Sequence, residues 1–177
     1  APGDAVKVLD QRGQFLGVAH YSSTSQITLR LLSRKAEAID REFFLKRLRA
    51  ALQHRERVVE NSDACRLVSS EGDLLPGLIV DRYGPYLVMQ TLDQGMDRAR
   101  DTIADCLQQL FEPAGILLRN DASVRKLEGL PQEVVTHSGE IPERAHIHMN
   151  GLKLEADLLR GQPRHHRVDG AVRMGCL

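Results

Sequence analysis

Two apolar runs joined by a short turn constrain the fold of this chain more than any other feature. The runs cover residues 78–83 and 86–92, and Gly84 and Pro85 lie between them. Apolar runs of this length, bounded by turn residues, are typical of buried β-strands. The sequence therefore predicts a β-hairpin here, and the unbroken apolarity of the second run predicts a strand buried on both faces.

A helix and two further strands are predicted after this hairpin. Apolar side chains recur at helical spacing and stop before Pro113, at Met96, Ala99, Ile103, Cys106, Leu107 and Leu110. Short apolar runs at 115–118 and 133–137 predict the strands. The order strand, strand, helix, strand, strand indicates a compact α+β domain over residues 64–142.

The first 63 residues are predicted to begin with small β-structure. Residues 5–9 and 15–19 flank a turn in which Gly13 can adopt a positive φ. Residues 26–31 alternate polar and apolar side chains, as a half-buried strand does. We therefore expect three short strands before the first helix.

That helix is predicted over residues 40–59. Asp40 is placed to cap its first turn, and Ile39 is placed to pack on Phe44 as a hydrophobic staple. Five basic side chains lie mostly outside the apolar face of this helix: Arg41, Lys46, Arg47, Arg49 and Arg57. They form either a solvated surface or a platform for RNA, and both interpretations stay open.

A second hairpin is predicted over residues 143–162. Alternating runs at 145–149 and 152–156 bracket Asn150 and Gly151, and Asn-Gly is the strongest short-range hairpin signal. Residues 163–177 show no periodicity, which predicts an unstructured tail.

Composition excludes several classes of protein. Twenty-four basic residues balance twenty-four acidic ones, so any contact with nucleic acid requires a local basic patch. The three cysteines show no metal-binding spacing, which indicates a reducing, cytoplasmic setting. No apolar run approaches the roughly 20 residues that span a bilayer, so no membrane contact is expected.

Two segments carry a resemblance to a known family. Residues 74–84 and 119–130 resemble, in order and spacing, bacterial 23S ribosomal RNA cytosine-5 methyltransferases, which use S-adenosylmethionine. Such enzymes combine an RNA-binding PUA domain, a central α+β domain, a β-hairpin and a Rossmann-like methyltransferase domain. The resemblance implies an α+β chain: a partial PUA-like β-barrel over residues 1–63, the central domain over 64–142 and a hairpin linker over 143–162, with the Rossmann-like domain absent.

The chemistry of such an enzyme needs features that we do not find in the sequence. A class I methyltransferase needs a Gly-rich turn inside a βαβ unit, whereas the glycines of residues 71–77 precede a strand. Cytosine-5 methylation needs a nucleophilic thiolate. Cys65 lies beside a strand, Cys106 on an apolar helix face and Cys176 in the tail. We therefore expect no catalytic and no cofactor-binding residue in this chain; S-adenosylmethionine is implied only for the complete enzyme.

Basic residues after the buried strand 115–118 are the candidate RNA contacts. Arg119, Arg125 and Lys126 belong to a predicted loop, and Arg82 is expected nearby. These four side chains either contact RNA phosphates or, in the alternative, tie the loop to the domain together with Asp121. No metal site is predicted, since His146 and His148 on the second hairpin have no third ligand at useful spacing.

The sequence thus predicts the RNA-positioning and linker portion of an S-adenosylmethionine-dependent ribosomal RNA methyltransferase, inactive by itself. The alternative is a stand-alone RNA-binding or adaptor module with a PUA-like portion. An unrelated α+β interaction domain is a third hypothesis, which the two matching segments disfavour. The expected partners are large-subunit ribosomal RNA and the missing catalytic domain.

Overall fold

The computed structural model describes residues 1–160 and two short strands further on, Arg167–Val168 (β11) and Ala171–Val172 (β12). The described residues form a mixed α+β fold. Strands β11 and β12 pair with each other, so the prediction of an unstructured tail is wrong for those four residues. The rest of that predicted tail, including Cys176, lies outside the described residues.

The chain begins with an open, antiparallel, three-stranded sheet and not a closed barrel. Its strands follow the chain order: β1 (Ala5–Leu9), β2 (Phe15–Tyr21) and β3 (Leu29–Ser33). The predicted hairpin is confirmed, and Gly13 has a φ of 77° in its turn. We call this unit the first sheet.

The third strand starts later than predicted. The backbone N–H of Ser22 donates to the carbonyl of Thr28, and the N–H of Ile27 donates to Ser25 Oγ at 3.2 Å. These bonds curl residues 22–28 into a loop. Strand pairing therefore begins only at Leu29.

Helix α1 (Arg41–Val58) confirms the predicted helix and its cap. The carboxylate of Asp40 accepts a hydrogen bond from the backbone N–H of Phe43 at 3.1 Å. Its buried face packs mainly against α3 and β4, and it consists of Phe43, Phe44, Leu45, Leu48 and Ala51. Ile39 packs against the same core cluster. The helix therefore covers one face of the larger sheet described next.

The larger sheet has five strands in chain order, and we call it the central sheet. They are β4 (Ala64–Ser69), β5 (Leu78–Tyr83), β6 (Tyr86–Thr91), β7 (Gly115–Asn120) and β8 (Glu133–Gly139). All neighbours are antiparallel except β6 and β7, which are parallel. The β5–β6 hairpin is confirmed. Leu87 and Met89 belong to one hydrophobic cluster and Val88 to another, so β6 is buried on both faces.

No bounds were predicted for strand β4, although Cys65 was expected to lie beside a strand. A register shift between Arg66 and Val68 interrupts its pairing with β5. The consecutive side chains of Leu67 and Val68 are consequently both buried. This bulge removes the alternation on which a sequence-based assignment depends.

Three helices follow β6 and β7: α2 (Gln94–Arg98), α3 (Arg100–Phe111) and α4 (Val124–Leu127). The single helix predicted after the hairpin is divided at Ala99, whose φ and ψ are −89° and 3°. Arg125 and Lys126, predicted to lie in a loop, belong to α4.

The second hairpin, β9 (Arg144–Met149) and β10 (Leu152–Asp157), is confirmed. Asn150 and Gly151 have φ values of 50° and 79°, the positive values that a type I′ turn needs. Ala145, Ile147 and Leu154 share a hydrophobic cluster with central-sheet residues. The central sheet is thus covered by helices on one face and by this hairpin on the other.

Candidate functional site

The four predicted RNA contacts do not form one patch. Arg82 pairs with Leu87 of β6, which in turn pairs with Ile116 of β7. Arg119 lies three residues further along β7, which is about 10 Å at the rise of a strand. The expectation that Arg82 lies near the other three is therefore wrong, because the connection between β6 and β7 places them at opposite ends of the sheet.

Burial separates the four side chains further. Arg125 has no exposed surface and Arg119 is 6% exposed, whereas Lys126 is exposed and Arg82 is half-buried. A phosphate cannot reach Arg125 in this conformation. RNA contact therefore stays a prediction that the geometry permits for Lys126 and Arg82.

Arg119 and Arg82 both contact nearby backbone. Arg119 donates to the carbonyl of Leu158 at 3.3 Å, and its Nε lies 3.6 Å from Asp121 Oδ1. Arg82 Nε donates to the carbonyl of Gly84 at 2.9 Å. These contacts favour the structural interpretation of both residues.

Arg125 joins three segments of the central unit through buried hydrogen bonds. Its NH1 group contacts the carbonyl and the hydroxyl of Thr91 at the end of β6, and Asp97 Oδ1 in α2 at 2.9 Å. Its Nε donates to the carbonyl of Pro131 at 2.9 Å. Asn120 extends the cluster, because its side chain exchanges two hydrogen bonds with Thr91. The guanidinium thus fixes the end of the sheet where β6 and β7 both terminate.

A second set of buried polar groups joins the first sheet to the central unit, and we call it the junction network. Its carboxylate Glu128 is fully buried and accepts hydrogen bonds from Ser22 Oγ at 2.7 Å and from Arg30 at 2.9 Å. Arg30 Nε also lies 3.3 Å from Asp93. The remaining members are His20 and Gln94, whose side-chain amide donates to the carbonyl of Glu128 at 2.7 Å.

Sequence reasoning missed every member of the junction network. Ser22 and Glu128 are 106 residues apart in the chain. The members come from three separate segments of the chain, residues 20–30, 93–94 and 128, and no sequence motif links these segments. The partners are set by how the two units pack, so the sequence carries no local signal for them.

His20 is the most confined member of the junction network. A Cβ atom on Gly95 would lie 2.1 Å from the imidazole, so only glycine allows this approach. Burial lowers the pKa of His20 to about 4, so its ring is neutral at pH 7. The 3.9 Å separation between its Nδ1 and Asp93 Oδ1 is therefore not an ion pair at that pH.

Asp93 is shifted in the opposite direction. Burial raises its pKa to about 6, although hydrogen bonds from the N–H of Met96 and the charge of Arg30 act against the shift. Asp93 also caps α2 through the N–H of Met96 at 2.8 Å. The junction therefore contains an acid that resists ionisation beside a base that resists protonation.

Replacing His20 by glutamine is expected to stabilise the chain at acidic pH relative to wild type. A histidine that is neutral when folded costs stability as pH falls from 6.5 towards 4, because the unfolded state binds the proton. The raised pKa of Asp93 has the opposite effect on stability, which it increases as pH falls from about 6 to 4; this contribution is present in wild type and variant alike. The difference in unfolding free energy between the two should change by up to about 3 kcal/mol between pH 7 and pH 4.

Urea titrations at several pH values measure this difference. Replacing the exposed His54 by glutamine is the matched control and should give a pH-independent difference. A constant difference for His20→Gln as well would show that His20 is protonated in the folded state.

The cysteines and histidines among the described residues show no arrangement for catalysis. Burial raises the pKa of the Cys65 and Cys106 thiols, which disfavours the nucleophilic thiolate. His148 Nδ1 lies 3.2 Å from Asp63 Oδ2. Among the described residues, no three His, Cys, Asp or Glu side chains are grouped so that they could hold a metal ion. No helix in this part of the chain is long and apolar enough to cross a membrane.

Comparison with known proteins identifies relatives for both units. The PUA-like domain family matches residues 1–34. The ribosomal RNA large subunit methyltransferase I of Tolumonas auensis is 40% identical in an alignment of 164 residues, and the alignment covers 90% of this chain and 41% of that protein. The protein of the same name from Vibrio cholerae is 38% identical over 162 residues, with the same shares covered. The chain thus spans about two-fifths of the length of these curated relatives.

Solved structures share the fold. A protein described as a SAM-dependent methyltransferase from Streptococcus mutans superposes with a TM-score of 0.77 at 22% identity, covering 91% of this chain and 42% of that one. Another, described as a methyltransferase complexed with SAH, superposes with a TM-score of 0.78 at 22% identity. This match covers 92% of this chain and 41% of that one. At this identity the two structures show the fold alone.

Proposed function

We propose that this chain, a homologue over nine-tenths of its length of the proteins named ribosomal RNA large subunit methyltransferase I, supplies the RNA-positioning and linker portion of such an enzyme. The single observation that carries the proposal is the junction network. It holds the sheet that matches the PUA-like family against the central unit through buried ion pairs. A unit that positions RNA for a catalytic domain needs such a fixed geometry.

The β6–β7 connection supports the expectation that this chain holds no cofactor. Strands β6 and β7 are parallel and are connected through α2 and α3, which is a βαβ arrangement. In nucleotide-binding folds the ligand lies at the loop between the first strand and its helix. Here His20 packs on Gly95 in the first turn of α2, and the carboxylate of Asp93, the residue before that helix, caps it. The buried side chains of His20 and Asp93 thus occupy the space at the start of α2.

We expect the purified chain neither to bind S-adenosylmethionine nor to transfer its methyl group to RNA. Isothermal titration at about 100 μM ligand measures binding directly. A ligand present at 100 times its Kd would also raise the unfolding free energy by about 2.7 kcal/mol, so a thermal melt is an independent check. Saturable one-to-one binding at micromolar affinity would contradict the proposal.

We expect any RNA affinity of the chain to be weak, salt-dependent and largely insensitive to sequence. The net charge is zero, so only local clusters of basic residues attract phosphates. Binding of a single-stranded RNA should weaken steeply as salt is raised. No detectable binding at low salt would contradict the proposed role in positioning RNA.

The alternative function is a stand-alone RNA-binding or adaptor module with a PUA-like portion. It is favoured by the family match over residues 1–34 taken alone. The gene sequence downstream of the codon for Gln162 distinguishes the two, because another reading frame that continues into a methyltransferase domain is expected only under the first proposal.

A further inference from the structure

A basic groove lies between the end of β3 and helix α1, away from all four predicted RNA contacts. Its volume is about 470 Å³, and four basic side chains line it against a single acidic one. The basic residues are Arg34, Lys35, Lys46 and Arg47, and the acidic one is Glu37. We propose that this groove binds an unpaired RNA strand through its phosphates; the inference rests on the proposed function and assigns it a surface.

The cations of the groove are available to a ligand. Arg34, Lys35 and Lys46 are exposed and form no ion pair within the part of the chain that the structure describes. Glu37 is engaged, since its carboxylate accepts a hydrogen bond from Ser33 Oγ. In a chain with no net charge, this group of unneutralised cations gives the groove a local positive potential.

Many other basic residues are already paired. Carboxylates face Arg55, Arg66 and Arg100 at 2.6, 2.9 and 3.0 Å. Arg30 and Arg125 are buried or nearly so in ion pairs. These five arginines are therefore less available to a polyanion than the four basic side chains that line the groove together.

Arg47 is held in place before any ligand binds. Its guanidinium carbon lies 5.2 Å from the centre of the Phe43 ring, and its NH2 group donates to the carbonyl of Leu32 at 3.3 Å. A guanidinium oriented in this way keeps further N–H groups for a phosphate and loses little entropy on binding.

Apolar side chains provide a second kind of contact. Leu31 and Leu74, which line the groove, are 43% and 57% exposed. Leu74 has a φ of 59°, an unfavourable conformation for leucine that places this residue at the end of the turn before β5. A base or ribose can lie on these side chains while the phosphates contact the basic rim. The volume suits about one nucleotide, within the range of small-ligand sites.

Fluorescence anisotropy of a labelled 12-nucleotide single-stranded RNA, titrated with the full chain at several salt concentrations, tests the inference. Replacing Lys35 and Lys46 by alanine together should weaken binding at least tenfold at low salt. It should also reduce the salt slope by about 1.4, since each phosphate contact on a single strand contributes about 0.7. Replacing the exposed Lys7 and Arg12 by alanine removes the same charge elsewhere, and this control should change the affinity less than twofold.

A neutral substitution tests the apolar contact separately. Leu74→Asn removes the apolar side chain, introduces a residue that tolerates a positive φ and changes no charge. It should weaken binding severalfold and leave the salt slope unchanged. Equal weakening by the groove and control variants would show attraction by overall charge and would overturn the inference.

Three other outcomes are distinguishable. If wild type binds RNA with a steep salt slope and the groove variants bind equally well, the groove is not the site, while the proposed function survives. If polyglutamate at equal charge concentration displaces the RNA completely, the groove is an acidic-peptide site and the RNA assignment is wrong. If wild type binds no RNA, both the groove inference and the proposed function fail.

Discussion

Replacing Arg125 by methionine is expected to lower the free energy of unfolding by about 3–5 kcal/mol, the usual cost of breaking a buried ion pair. Arg125 is fully buried, and methionine fills part of its volume but donates nothing to Asp97, Thr91 or Pro131. For a chain of this length such a loss corresponds to a fall in Tm of roughly 10 °C. Urea denaturation followed by circular dichroism measures it.

Lys126 supplies the matched control, because it is the exposed neighbour of Arg125 on the same helix. Lys126→Met should change stability by no more than about 0.5 kcal/mol. Arg125→Lys should lie between wild type and Arg125→Met, because an ammonium keeps the charge but cannot reproduce the planar set of donors. A stable Arg125→Met protein with a reduced salt slope for RNA would instead support a phosphate contact at this residue.

Replacing Glu128 by alanine is expected to detach the first sheet from the central unit at a cost of about 3–5 kcal/mol. The fully buried carboxylate is the acceptor for Ser22 and the close partner of Arg30. Its removal leaves Arg30 with Asp93 alone, whose pKa is raised towards neutrality by burial. Hydrogen exchange should show faster exchange in β2 and β3, while the amides of β6 and β7 keep their protection.

The partner of this ion pair provides the internal control. Arg30→Met combined with Glu128→Ala should cost less than the sum of the single changes, because residues in direct contact do not act additively. Lys7→Ala, an exposed change on β1, should leave exchange in the first sheet unaltered. Strictly additive costs would show that the two side chains stabilise the junction independently.

The local elements of this fold could be predicted because their causes lie within a few residues. The hairpins at residues 78–91 and 144–157 depend on apolar strand patterns and on turn residues that accept positive φ. The start of α1 depends on Asp40 accepting a hydrogen bond three residues along. Each of these signals can be found in a single sequence because the interacting residues are close together in the chain.

Local reasoning was less successful where packing changed the backbone. The bulge in β4 removed the alternating pattern by which a strand is predicted. The break at Ala99 divided one predicted helix into two. The C-terminal hairpin appeared from its sequence to be a linker. In the structure it covers one face of the central sheet, because packing the hairpin there removes the apolar side chains of that face from water.

The sequence by itself determined most of the strands, the hairpin turns and the main helix of this protein, together with the resemblance that led to its relatives. The tertiary structure alone decided which charged groups are buried. From the sequence, Arg125 was a candidate RNA contact or a tie for its loop, and Glu128 had no predicted role; charged side chains are almost never fully buried without a partner. Their partners lie in other elements, up to 106 residues away along the chain. Only the folded chain brings those groups close enough to offset the cost of removing the charges from water.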